Sequence, residues 1–392
     1  ISIISLYRPL LNLNLLLDSV SMIEITSYKS YTELKFFLND LLVDSPFLDL
    51  HFFEALEYSK SIGGVTGWKS FPIVATKDKE VVGFIPIFLK SHSYGEYVFD
   101  WSWAEAFESH GLSYYPKMIS AIPFTPITGK RIVSKDPEIK KLMIKALEKI
   151  LVEHKISSCH ILFPEKEDSD LFTSMGWLYR EGIQFKWENK LYSSFNNFLS
   201  DLSHNKRKKI KQERRKIIES GIKVDIKTGT EIEKEDIDFF YLCYCKTYEL
   251  HRSSPYLTKE FFFKLFESMP DKLVFIFARR NNENIASALN IIGADTLYGR
   301  YWGAIEYVPN LHFELCYYQG QEFCIDNKIN YFEGGAQGEH KLARGFKPFK
   351  TFSNHFIANK DFSSAINDFL DKEVNHMNIY ANELDERSPF KK

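Results

Sequence analysis

The sequence predicts an α/β protein built from two tandem modules, each a mixed sheet with helices on its faces. Three observations lead there. The same order of elements occurs twice, about two hundred residues apart, which is the mark of an internal duplication. In both copies a helical stretch separates the third strand from the next, and such a crossover makes its flanking strands parallel in a sheet otherwise joined by tight turns. A chain of 392 residues also exceeds what a single hydrophobic core usually organises.

In the first copy, helical periodicity at 31–43 and 48–60 precedes a strand at 71–76, the turn Lys77-Asp78-Lys79-Glu80, a strand at 81–89 and a third strand at 96–103. The second copy has helical patterns at 233–250 and 258–268, a strand at 273–279, the turn Asn281-Asn282-Glu283-Asn284, and strands at 285–292 and 296–303. The second helices share a pattern, with Phe47-Leu48 ahead of Phe52-Phe53 and Leu56, and Tyr256-Leu257 ahead of Phe261-Phe262 and Leu265. After an insertion at 104–134 in the first copy only, each third strand leads to a helix and a short apolar strand, at 136–154 and 158–163, and at 311–327 and 329–332. The expected domains are 22–190 and 223–392, joined by a basic helical connector at 191–222. Residues 1–21 read as an extension or a mis-assigned start, because Met22 stands directly before a strand-like run.

Composition narrows the function classes. The hydrophobic share of 44% and charged share of 26% belong to a soluble globular chain, with an unusual 16% of aromatics. Net charge is −2, so no global field recruits nucleic acid or an anionic membrane, and such binding would need a local patch. Cys159, Cys243, Cys245, Cys316 and Cys324 form neither CxxC pairs nor a disulfide scaffold, so reduced thiols, no metal site and a cytoplasmic location are expected. No apolar run reaches the ~18 residues of a transmembrane helix.

The one basic patch lies at 206–216, where Lys206, Arg207, Lys208, Lys209, Lys211, Arg214, Arg215 and Lys216 surround a stripe of Ile210, Ile217 and Ile218. It is either a solvated face or a grip on a polyanionic donor, for which Lys206, Arg207 and Lys209 are the candidates, with His312 near a helix start capped by Asn310. On the expected strand 96–103, Glu96 and Asp100 share a face near His92, a set able to hold an amine or a proton. In Tyr298-Gly299-Arg300-Tyr301-Trp302-Gly303, Tyr298, Arg300 and Trp302 share one face and become substrate-binding candidates. Arg300 needs a partner, either Glu314 or Glu333 in an ion pair or an anionic or carbonyl-bearing substrate. The densest constellation runs from Glu333 through Gly334-Gly335-Ala336-Gln337-Gly338 to His340, Lys341 and Arg344. Glycines at that density after an apolar strand indicate positive φ or close approach to a ligand. Lys341 or Arg344 is the candidate oxyanion donor, and Glu333 or His340 the candidate proton carrier.

These stretches, with Thr66-Gly67-Trp68, the run His92 to Trp101, Pro123-Phe124-Thr125-Pro126 and Thr128-Gly129, resemble the Fem-like family of peptidoglycan biosynthesis or recognition proteins, over about 45–390. The resemblance implies tandem GNAT-like modules of the acyl-CoA N-acyltransferase fold. More distantly it implies kinship to Fem aminoacyltransferases, whose second domain opens with a basic helix and ends in a glycine-rich strand exit followed by a lysine near a Gly-Phe pair. Lys206 to Lys216, Glu333-Gly334-Gly335, and Lys341 ahead of Gly345-Phe346 are similar to those parts, although Arg344 fits the lysine's place equally. The function expected is N-acyl transfer from acyl-CoA or aminoacyl-tRNA to a small-molecule or lipid-linked amine, without a tightly bound cofactor. The competing class is a non-catalytic module recognising a cell-wall fragment or nucleic acid. The sequence leaves donor, acceptor and oligomeric state open.

Overall fold

The computed structural model describes residues 12–16, 22–34, 45–335 and 338–391. The chain divides into two compact units, one holding Phe47–Gly182, Lys350–Asn378 and the residues before 44, the other Ile183–Phe349, Ile379–Lys392 and Asp44–Pro46.

The first unit contains β1 (Asn12–Leu16), β2 (Met22–Ser27), α1 (Leu50–Tyr58), β3 (Trp68–Ser70), β4 (Ile73–Lys77), β5 (Glu80–Ile85), β6 (Ile87–Lys90), α2 (Trp101–Ser109), β7 (Lys117–Ser120), α3 (Pro137–His154), β8 (Ser158–Leu162), α4 (Lys166–Ser174) and the start of β9 (Leu178–Glu188). The second contains the rest of β9, α5 (Phe195–Asp201), α6 (His204–Glu219), β10 (Lys223–Thr228), α7 (Lys234–Leu250), α8 (Lys259–Ser268), β11 (Leu273–Arg280), β12 (Glu283–Ile292) and β13 (Thr296–Ala304). It continues through α9 (Leu311–Phe313), a π-helical turn (Glu314–Tyr318), α10 (Gln319–Asp326), β14 (Tyr331–Glu333) and a 3-10 turn (Glu339–Arg344) to the start of β15 (Lys347–Ile357). The rest of β15 and the first part of α11 (Lys360–Glu386) return to the first unit.

The duplication is visible in the pairing. In the second unit the strands stand in the order β10-β11-β12-β13-β14-β9, all antiparallel except β13 with β14. In the first unit β2-β4-β5 and β6-β7-β8-β15 repeat that order, with β7 and β8 the parallel pair. The strand corresponding to β12 is cut into β5 and β6 at Pro86, which lacks the N–H a continuous ladder needs. Each unit takes its sixth strand from the other copy's sequence.

Several expectations change. There is no strand at 96–103: Gly95 and Tyr97 adopt positive φ (81° and 64°), the chain turns, and α2 begins at Trp101. The strand matching β13 is β7, inside the stretch read as an insertion. The basic helical connector expected at 191–222 holds two helices broken at Leu202-Ser203, and of its isoleucine stripe Ile218 is exposed. Asn310 sits at φ 70° and its side chain caps nothing. Residues 12–16 form a strand paired with β2, whereas 1–11, 17–21 and the remainder of the helical pattern at 31–43 beyond residue 34 lie outside the described residues.

The aromatic excess fills cores. Phe240, Phe262, Phe275, Tyr244 and Tyr301 pack edge-on between α7, α8 and the second unit's sheet. Close approach of α7 to β13 depends on Gly303, where an added Cβ would lie 1.9 Å from the backbone oxygen of Cys243. Gly303→Ala is therefore expected to cost about 1–3 kcal/mol through forced separation of α7 from β13. Thermal unfolding checks this, and an unchanged melting temperature would refute the contact.

Candidate active site

In the second unit, β13 and β14 pair side by side at Thr296–Tyr331, Leu297–Phe332 and Tyr298–Glu333, and then part, because β14 ends while β13 runs on to Ala304. At the parting point β13 carries a bulge. Leu289 faces Tyr301 and Asn290 faces Gly299, so Arg300 has no opposite residue on β12. Bulges re-aim side chains beside functional sites. The Arg300 guanidinium makes no carboxylate ion pair among the described residues, and its Nε is buried without a hydrogen-bond partner. Neither carboxylate expected to pair with it does so, since Glu314 is held instead by Arg214 at 3.0 Å.

Past Glu333 the chain turns through Gly334 and Gly335, the latter at φ 86°, where a side chain would strain the backbone. Ala336 and Gln337 lie outside the described residues. The 3-10 turn then brings Lys341 back, buried at 1% exposure, with Nζ donating to the Gly335 carbonyl at 2.6 Å. Burial, and next the Arg300 charge, lower the Lys341 pKa to about 7. Burial raises Glu333 to about 7 against the pull of Lys186, its cross-strand neighbour on β9, and of Arg300. Two groups of opposite charge type are thus moved from opposite directions toward neutrality, as burial does at proton-handling sites and in buried structural networks alike.

Behind Lys341 stands an aromatic wall. Tyr317, on the π-helical turn, meets His340 Nε2 at 2.8 Å, and the His312 ring lies 5.3 Å from Tyr317 and 5.0 Å from Trp302. Burial and then His340 depress His312 to about 4, so it is neutral; His340 is likewise lowered, by burial and by Arg344. Arg344 itself is committed to the interior: Nη2 lies 3.1 Å from both Glu213 oxygens, Nη1 donates to the His340 carbonyl at 2.8 Å, and the guanidinium sits 3.4 Å from the Phe313 ring centre. Of the two candidate oxyanion donors, Arg344 is an internal strut, and Lys341 borders the parting strands. Glu213, which also accepts from Tyr318, was missed in the sequence, where a lone acid in a basic helix looks incidental.

On α6, Lys208, Lys209 and Lys211 are exposed, Lys206 and Arg207 are half-buried, and none of the five has a carboxylate partner among the described residues. Arg214 pairs with Glu314 and Glu322 and so fastens the helix to the π-helical turn.

The first unit's candidates meet in a different way. Glu96 and Asp100 do not share a strand face but converge from a loop onto Lys117 of β7, all three buried; Lys117 Nζ donates to Ser93 Oγ at 2.7 Å, to Glu96 at 2.8 Å and to Asp100. Lys90 lies 3.8 Å from Glu96 and over the Trp68 ring at 3.7 Å. Tyr114 donates to Asp100 at 2.6 Å, and His160 and His355 touch through their Nδ1 atoms at 2.7 Å. His92 is a turn residue, bound to the Thr66 carbonyl at 3.0 Å. Lys90 and Lys117 went unread although each ends or begins an apolar strand, the one signal available. The loop so clamped exposes Tyr94, Tyr97, Phe99 and Trp101.

Burial raises Glu96 to about 7 and lowers Lys90 to about 7. A carboxyl raised on folding contributes stability below its unfolded pKa and loses it as pH rises through the folded value. The Lys90 penalty grows as pH falls from its unfolded value to about 7, and Asp100, held low despite its burial by Lys117, titrates below this range. Between pH 5 and 7 Glu96 therefore contributes a slope that falls with rising pH by at most about 1.4 kcal/mol per unit. It comes on top of a like slope from Glu333 and against the opposite slope of the depressed His160, His355 and His312, and Glu96→Gln should change the observed slope by the Glu96 share alone. Urea unfolding across this range checks it; the same slope in the variant would exclude Glu96 as a source.

Comparison with known proteins agrees with the geometry as far as the fold. The structure of FemX matches with a TM-score of 0.50 at 11% identity, covering 81% of this chain and 93% of that one. L-PGS from Bacillus licheniformis matches at 0.48 and 10%, covering 81% and 96%, and a tandem GNAT protein from the clavulanic acid biosynthesis pathway at 0.43 and 9%, covering 86% and 99%. No curated protein sequence matches the chain. A family model does, over residues 23–392, and the chain accordingly belongs to the FemAB-like family, described as peptidoglycan biosynthesis/recognition.

Proposed function

We propose that the chain is an N-acyltransferase that joins an activated carboxyl group to an amine where β13 and β14 part, with a peptidoglycan-related amine as acceptor. The observation that carries this reading is the placement of Glu333, at the end of β14, and of Lys341, folded back onto the Gly335 carbonyl, beside the Arg300 bulge, with burial moving both toward neutrality. In the reaction the amine nitrogen attacks the donor carbonyl as Glu333 removes its proton. The charge that develops on the carbonyl oxygen is met by Lys341 as ammonium and by Arg300. The bond from the carbonyl carbon to the carrier then breaks, and the proton leaves with the carrier as a thiol or hydroxyl. No covalent enzyme intermediate is required, because holding the amine against the carbonyl supplies much of the acceleration. Tyr298, paired side by side with Glu333, holds the substrates on one face of β13, whereas the bulge at Arg300 reverses the alternation and turns Trp302 to the other face, against the expectation that the two share one.

The carrier is a CoA thioester or aminoacyl-tRNA, both cytoplasmic, and the unpaired cations of α6 favour tRNA. Recognition of a cell-wall fragment without turnover is the second reading, favoured by the exposed aromatic loop of the first unit.

The test screens acyl-CoA and aminoacyl-tRNA donors against amine acceptors at two salt concentrations, tRNA use being the salt-sensitive case. A bell-shaped pH profile of kcat/KM with both limbs near pH 7 is expected, since activity needs Glu333 ionised and Lys341 protonated. Glu333→Gln should abolish the acidic limb along with most of the rate. Lys341→Met should lower kcat ~100-fold or more with little change in KM. Near-normal kcat in both variants would contradict the assignment, and absence of turnover with every pair alongside binding of a muropeptide would favour the second reading.

A further inference from the structure

A pocket of about 740 Å³ opens in the second unit beside His312, a volume within the range of small-molecule sites. Trp302, His312, Phe313 and Thr247 wall it, and Leu250 and Tyr307, 81% and 88% exposed, stand at its rim. Apolar side chains around a concave aromatic floor suit an apolar ligand. The pocket adjoins the reaction centre through contacts already described: Trp302 lies two residues beyond Arg300 on β13, and His312 leads through Tyr317 to His340, next to Lys341.

We propose that this pocket receives the side chain of the transferred acyl group and selects neutral, apolar or aromatic ones. The inference rests on the acyltransfer reading and adds the substrate class to it. Its charged lining groups are already neutralised: Lys246 is paired with Glu249 at 2.7 Å, and Glu306 with Arg280. His251 stands exposed at the rim, and the inner histidine, His312, is buried against aromatic rings. A charged side chain entering would lose hydration and find no free counter-charge, whereas an apolar one gains the Trp302 and Phe313 faces. Selection of this kind follows from desolvation and needs no hydrogen bond to the ligand.

Binding of the N-acetyl amides of phenylalanine, leucine, aspartate and lysine to the full chain tests this by saturation-transfer NMR, with no turnover required. The phenylalanine and leucine amides are expected to bind at least about tenfold more tightly than the charged pair. Trp302→Ala should remove that preference and Trp302→Phe retain it. Leu250→Asp, at an exposed position that leaves the fold intact, should weaken the apolar probes and strengthen the lysine amide. Equal binding of all four probes, or a preference that survives both Trp302→Ala and Leu250→Asp, overturns the proposal. Selective binding without any turnover supports the pocket while the acyltransfer reading fails. Turnover that prefers charged acyl groups sinks the pocket and leaves that reading standing.

Discussion

The brief parallel contact of β13 with β14 is the constraint on which the second unit's chemistry depends. Parallel neighbours require a crossover, here α9 to α10, and the crossover's π-helical turn carries Tyr317 and Tyr318 toward the strand ends. Because the strands share only three residue pairs, the ladder stops at Glu333 and the backbone beyond it is free to turn on glycines. The gap that results is filled by side chains instead of by a neighbouring strand. Arg300 projects from a bulge, and Lys341 is brought back by a 3-10 turn and tied to the Gly335 carbonyl. A longer β14 would close this gap and leave no room for either.

Both units bury charge, with different consequences. In the first, Lys117 faces two carboxylates, and Lys90 lies beside Glu96, so the network is largely self-neutralised and fixes a loop in one conformation. Such networks seldom add net stability, since desolvation offsets the attraction. What they give here is a rigid presentation of Tyr94, Phe99 and Trp101 at the surface. In the second unit Arg344 is similarly matched by Glu213, whereas Lys341 and Arg300 have no carboxylate partner within hydrogen-bonding distance among the described residues. An unmatched buried cation such as Lys341, beside the half-buried Arg300, is destabilising unless a substrate completes it, which is the physical case for reaction in the second unit.

The sequence made the repeat legible because hydrophobic periodicity survives duplication even where identities do not. Strands β11 to β13 and helices α3, α7 and α8 lie close to their expected positions. The failure at 96–103 has a specific cause. Alternation of Tyr97, Phe99, Trp101 and Trp103 imitates a strand, but positive φ at Gly95 and Tyr97 breaks extension, and Glu96 and Asp100 are directed inward by a lysine about twenty residues on. The glycine-rich exit after Glu333 was readable, since Gly335, Gly338 and Gly345 all adopt positive φ. Choosing between Lys341 and Arg344 was not readable, because it depends on Glu213, more than a hundred residues away. Nor does any local pattern announce the burial that moves Glu333 and Lys341 toward neutrality.

The central claim is that Lys341 is a buried amine titrating near neutrality in the free protein. Nitrogen-15 NMR of side-chain-labelled lysine follows each Nζ directly, and comparison with Lys341→Met and Lys90→Met assigns the unusual signals. The account requires a resonance that titrates at about 7 and disappears in Lys341→Met. If the signal lost in that variant titrates with the exposed lysines near 10.4, Lys341 is an ordinary ammonium and the proposed division of roles with Glu333 fails.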